Sequence, residues 1–163
     1  MPLEVSGIAV KGIAPLLQVF DMPAAIGFYR DVLGFTVSMR SPGLSADPDH
    51  VNWCLLELAG IQLMLNTAYD PEDQPASPDG LRWSGHQDTC IYFGCPDVDG
   101  AYAHLRAHNI PAKEPTIAYY GMKQLYVSDP DGYSLCFQWP ASQRMKDEWR
   151  ARYGIDASEM KAG

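Results

Sequence analysis

LLQVFDMPAAIGFYRDVLGF, residues 16–35, changes its period part-way. Up to Asp21 the pattern is that of a strand, with Leu17 and Val19 on one face and Leu16 and Gln18 on the other. Beyond Asp21 the apolar residues Ile26, Tyr29, Val32 and Leu33 fall at helical spacing. Asp21 can cap that helix, Pro23 suits its first turn, and Gly34 can end it. The stretch predicts a strand over Ala14–Phe20 and a helix over Asp21–Leu33. Three strand-like runs follow, at Phe35–Met39, Val51–Leu58 and Ile61–Leu65.

The order recurs further along the chain. Thr89–Cys95 reads as a strand, and Asp97–His108 as a helix with Ala101, Tyr102 and Leu105 on its inner stripe. Asp97 can cap it, Asn109 is a left-handed terminator, and Pro111 stops it. Strands follow at Thr116–Tyr119, Gln124–Ser128 and Tyr133–Trp139. Superposing the halves sets Asp21 on Asp97 and the turn residue Gly60 on Gly132. The chain therefore predicts an α+β fold of two βαβββ modules, about residues 8–66 and 86–140, within one domain spanning 1–140. Residues 141–163 form an extension in which Met145, Trp149 and Tyr153 lie four apart, a short helix for the domain or a partner subunit. Thr67–Asp88, rich in Pro and Gly, reads as a linker or lid without an element, with Tyr69 and Trp83 placed to cover a cavity mouth.

Composition narrows the function. The hydrophobic share of 47% in 163 residues can build a sizeable core, and a net charge of −8 argues against nucleic acid and anionic membranes. An acidic chain attracts cations. No apolar run is long enough to span a bilayer, and the first residues lack the pattern of a signal peptide. Cys54, Cys90, Cys95 and Cys136 show no metal-finger spacing and read as buried thiols of a cytoplasmic protein.

The run at 16–35, with its D…FY…VLGF pattern, resembles the opening strand and helix of the vicinal oxygen chelate superfamily of glyoxalases, bleomycin resistance proteins and dioxygenases. YGMKQLYVSDPDGYSLCFQW, residues 120–139, resembles the closing hairpin of that family around its DPDG turn. The resemblance spans about residues 8–140. It implies a cupped eight-stranded mixed sheet with helices outside, and in metal-bearing members one ligand on the first and one on the last strand of each module. Carried onto this chain, those positions are Ala14 and Cys90, seven residues before the capping aspartates, and Met64 and Cys136, four after the turn glycines. The family places His, Glu or Gln there. Alanine donates nothing and a thioether is a soft, weak ligand, so metal-dependent isomerisation and ring cleavage lose their chemical basis.

The face that carries those positions has other chemistry. By strand parity Gln18, Gln62, Met64, Asn66, Tyr92, Ser134, Cys136 and Gln138, with Cys90 nearby, are expected to line a cavity. The same parity suggests Cys54 for that cavity. His104 and His108 share a helix face without a third ligand, and His50 and His86 stand in loop-like sequence. Asp129 and Asp131 are turn formers, and neither a carboxylate pair nor a Ser-His-Asp set stands out. The expectation is a binding protein without metal or cofactor that holds a small organic ligand, cationic or aromatic, as bleomycin-resistance-type proteins do. It is expected to be a homodimer. The alternatives are a family enzyme with a non-standard site, or an accessory subunit with a vestigial pocket.

Overall fold

The computed structural model describes residues 7–156 and 158. They fall into two compact units, divided between Pro75 and Ala76. Each unit contains one βαβββ module, which gives the α+β architecture.

In the first unit, β1 (Leu16–Val19) leads into α1 (Met22–Gly27), and β2 (Thr36–Arg40), β3 (Trp53–Leu58) and β4 (Ile61–Thr67) follow. The sheet order is β1-β4-β3-β2, with β1 parallel to β4 and the other pairs antiparallel. β1 begins at Leu16, later than alternation alone suggests, because Pro15 has no N–H for the ladder. The Pro15 carbonyl still accepts from the Met64 amide at 2.8 Å. Asp21 caps α1 by accepting from the Ala24 amide at 3.0 Å. The predicted single helix is in fact two: α1 continues as a π-helical turn over Phe28–Val32. Gly34, at φ +90°, ends it. Leu17, Val19, Leu63 and Leu65 are buried with Ile26 and Tyr29, so the strand face that alternation marks as apolar is core.

Cys54 belongs to that core. It pairs in register with Leu65 and is fully buried, so it faces the apolar side and not the cavity side expected for it. On β3 the half-exposed parity is that of Trp53 and Leu55. Burial pushes the Cys54 thiol up to about 11. Arg30, on the π-helical turn, donates from Nη1 to both carboxylate oxygens of Asp49 at 2.9 Å and ties the helix to the loop before β3.

In the second unit, β5 (Cys90–Gly94), α3 (Val98–Ala107), β6 (Thr116–Ile117), β7 (Met122–Ser128) and β8 (Ser134–Pro140) repeat the pattern in the order β5-β8-β7-β6. Asp97 caps α3 through the Gly100 amide at 2.8 Å, and Asn109 takes the left-handed conformation at φ 57°. Asp129 accepts from the Asp131 and Tyr133 amides, both at 2.9 Å, which builds the DPDG turn.

The segment between the modules holds an element after all. α2 (Gly80–His86) starts at Asp79, whose carboxylate accepts from the Leu81 amide, and its seven residues stand in a stretch rich in prolines and glycines. It docks on the DPDG turn. His86 stacks on Tyr133 at 3.9 Å between ring centroids and donates from Nδ1 to the Asp131 carbonyl at 2.7 Å. Gln87 Nε2 donates to the Gly132 carbonyl. Trp83 packs against Gly132, where any Cβ would lie 2.8 Å from the ring, and Tyr69 meets Phe20 edge-on. Both aromatics are thus packed on their own units. α4 (Gln143–Tyr153) lies on β8 of the second unit, with the Trp149 ring 5.5 Å from that of Trp139.

Candidate functional site

The nine residues expected to line a cavity occupy the face of each sheet opposite the apolar one, with one distinction in burial. On the first sheet Gln18, Gln62, Met64 and Asn66 share the more exposed parity of β1 and β4. Gln18 and Asn66 are cross-strand partners, and Asn66 Nδ2 donates to Gln18 Oε1 at 3.2 Å. Gln62 donates to Glu57 at 2.8 Å on the neighbouring strand. Met64 stands between Leu16 and Leu55.

On the second sheet Cys90, Tyr92, Ser134, Cys136 and Gln138 share the corresponding face of β5 and β8. Cys136 does not present a surface: it is 0% exposed. Tyr92 and Tyr126 both pair with it in register, one from each side, and their hydroxyls meet at 3.0 Å. Burial, relieved in part by the Tyr126 hydroxyl, pushes the Cys136 thiol up to about 11, and the nearby Cys90 adds to the rise. Such a thiol is neutral and behaves as a small hydrophobe. The hydrogen bond to Tyr92, and then burial, pushes the Tyr126 phenol up as well.

Three residues of this face escaped the sequence reading. Gln124 and Tyr126 on β7 and Tyr120 before it complete a hydrogen-bonded chain. Gln124 Nε2 donates to the Tyr120 hydroxyl at 2.7 Å and to Gln138 Oε1 at 3.0 Å. The Tyr126 hydroxyl donates to Gln124 Oε1 at 3.4 Å. The parity of β7 would have found Gln124, Tyr126 and Ser128, had that strand been read along with the four that carry the ligand positions. Tyr120 lies in a turn, where no parity points to it.

Beside this chain lies a cleft of about 550 Å³, lined by Gln124, Tyr126, Ser128, Ser134, Thr116 and Gln87, with loop 111–114 as its wall. That volume falls in the range of small-molecule sites. Its polar groups are amides and hydroxyls, and its only charges are the neighbours Lys113 and Glu114 on the wall.

The histidines make no comparable site. His50 borders a smaller cleft of about 280 Å³ in the first unit, its Nδ1 3.0 Å from the Ser45 hydroxyl. His104 and His108 stack at 4.3 Å, with His108 Nδ1 donating to the His104 carbonyl. Among the described residues no three His, Cys, Asp or Glu side chains are grouped to hold a metal ion.

A sequence profile of the Glyoxalase/Bleomycin resistance protein/Dioxygenase superfamily matches residues 12–137. The chain belongs to that superfamily. A relative in Escherichia coli (strain K12), the uncharacterized protein YaeR, is 30% identical over 118 residues, which are 71% of this chain and 84% of YaeR. Solved structures share the superfamily fold. Lactoylglutathione lyase from Agrobacterium tumefaciens is 21% identical at a TM-score of 0.56, over 80% of this chain and 94% of its own. TnmS3, an antibiotic binding protein from Streptomyces sp. CB03234, is 21% identical at a TM-score of 0.59, over 83% of this chain and 100% of its own.

Metal is implied by parts of this superfamily, and the donors here do not suit it. Ala14 precedes β1 and has no donor atom, Met64 offers a thioether, and Cys136 is a buried neutral thiol.

Proposed function

We propose that this protein binds a small organic molecule in the cleft of its second unit and acts by sequestering it, without a catalytic metal. The carrying observation is the lining: neutral amides and hydroxyls from Gln124, Tyr126, Ser128, Ser134, Thr116 and Gln87 beside a volume of ligand size. Cys90, Tyr92, Cys136 and Gln138 lie on the same sheet face as Ser134 and Tyr126 and belong to the proposed site by that placement. Gln18, Gln62, Met64 and Asn66 are the equivalent group on the first sheet and form part of the same proposal. The similarity to TnmS3 supports the reading as far as a shared fold can. A family enzyme is the alternative, and the donor set at Ala14, Met64, Cys90 and Cys136 opposes it.

The proposal extends to a homodimer at work in the cytoplasm. No helix among the described residues is long and apolar enough to cross a membrane. Light scattering at micromolar concentration tests the dimer, and a monomer mass refutes it. For the function, dialysed protein is analysed for metals and screened by thermal shift against small aromatic and antibiotic molecules. A saturable stabilisation without metal supports sequestration. One tightly held metal ion per chain, with turnover of an α-oxo thiohemiacetal or a catechol, refutes it.

A further inference from the structure

Two of the four free cysteines share a face of one sheet. Cys90, on β5, pairs in register with Ser134, and Cys136 stands two residues further along β8. Two residues return a strand to the same side, so the thiols lie on one face, on adjacent parallel strands and diagonal to each other. The other two cysteines are placed elsewhere. Cys54 is in the core of the first unit, and Cys95 lies beyond the end of β5 with its sulfur 3.5 Å from the Asp97 carbonyl. Cys90 and Cys136 also feel each other, since the charge of an ionised Cys90 raises the Cys136 thiol.

The spacing of a diagonal pair decides what two thiols can do together. Its Cβ atoms lie roughly 7 Å apart. A disulfide needs about 3.5–4.5 Å between Cβ atoms, so this pair is too wide to close one. An ion held linearly between two thiolates sets the sulfurs about 4.6 Å apart, twice a metal–sulfur bond of about 2.3 Å. With a Cβ–S bond at each end, that arrangement spans the diagonal. We propose that Cys90 and Cys136 form a two-coordinate site for a soft monovalent cation with a filled d shell, copper(I) above all. Thiolates are the donors such an ion selects. Divalent ions that require four or six donors are not served by two sulfurs of one module. Cys90 is half-exposed and is the thiol that meets the ion first. Cys136 is buried level with Tyr92 and Tyr126, whose joined hydroxyls roof it. On coordination the thiols release their protons to solvent, and the ion keeps its oxidation state. The site is independent of the small-molecule cleft.

The test uses the full chain, reduced and free of oxygen. Copper(I) is supplied as its bathocuproine disulfonate complex, and the loss of that complex's absorbance reports transfer to the protein. The expected result is one copper(I) per chain. Cys90→Ser and Cys136→Ala should each weaken it at least ~100-fold, because the second thiolate acts at high effective concentration once the first has bound. Cys54→Ala and Cys95→Ser should leave it unchanged. Bound copper should also slow iodoacetamide labelling of Cys90 at least ~10-fold. Cys90 is half-exposed, so Cys90→Ser carries the comparison where Cys136→Ala does not fold. No copper withdrawn, affinity unchanged in Cys90→Ser, or an equal loss in Cys95→Ser overturns the proposal, and each of these results leaves the reading of the cleft standing.

Discussion

Tyr92 on β5 and Tyr126 on β7 reach across the strand between them and join their hydroxyls at 3.0 Å, both level with Cys136. The pair roofs a thiol and also feeds the amide chain, so the two phenols are not equivalent. Tyr126 is the one that satisfies buried Gln124.

Removing the two hydroxyls should therefore have unequal effects. Tyr126→Phe leaves Gln124 Oε1 without a donor in a buried place, which costs about 1–3 kcal/mol. Tyr92→Phe removes a hydroxyl from a ring that is 51% exposed and costs about 0.5–1 kcal/mol. Urea melts of both variants check the order. Equal losses would mean that Tyr126 does not serve Gln124.

The thiols should separate by reactivity. With the Cys136 thiol near 11, on the order of one molecule in a thousand is thiolate at pH 8. Cys54 is buried and equally raised, whereas Cys90 is half-exposed. Iodoacetamide at pH 8, followed by peptide mass mapping, should label Cys90 at least ~10-fold faster than Cys54 or Cys136.

The same shifts set a sign for stability. The Cys54 and Cys136 thiols ionise more readily in the unfolded chain, at the ordinary 9.0, than in the folded one, at about 11. Their contribution is fully present below pH 9 and is lost as pH rises towards 11. Chemical denaturation across that window should show falling stability, and Cys136→Ala should flatten the slope.

Gly60 and Gly132 occupy the same turn of the repeated module, yet they should respond differently to a methyl group. Both have positive φ, 81° and 89°, so alanine is strained at either. Nothing lies within 4 Å of a Cβ at Gly60, and Gly60→Ala should cost about 1–2 kcal/mol. At Gly132 the Cβ would sit 2.4 Å from the Trp83 carbonyl, and overpacking raises the loss to about 2–4 kcal/mol. Trp83→Ala should relieve only part of it, since the nearest atom is backbone. A double-mutant cycle read by thermal melts checks this.

Asp49 should matter more than a surface carboxylate. It accepts both 2.9 Å bonds from Arg30, and Arg40 lies 3.7 Å away. Asp49→Asn should cost about 1–2 kcal/mol in urea, and Arg30→Lys a similar amount, because one ammonium cannot hold Asp31 and Asp49 together as the separate guanidinium nitrogens do.

The sequence by itself determined the repeat, and with it the architecture. Capping aspartates at 21 and 97, a left-handed Asn109 and turn glycines at 60 and 132 are local features, set by backbone geometry within a few residues. Alternation likewise placed Leu17, Val19, Leu63 and Leu65 in the core, because a strand has only two faces. Alternation failed where it needed a neighbour. Cys54 took the core side because its register with Leu65 put it there, and register is a property of two strands. α2 was hidden because it is held from outside, by Gly132, Asp131 and Tyr133, more than by its own seven residues. The chain from Tyr92 to Gln138 was hidden for the same reason. Its members lie far apart in sequence, and only the pairing of β5, β8 and β7 brings a phenol, a second phenol and two amides within hydrogen-bond reach.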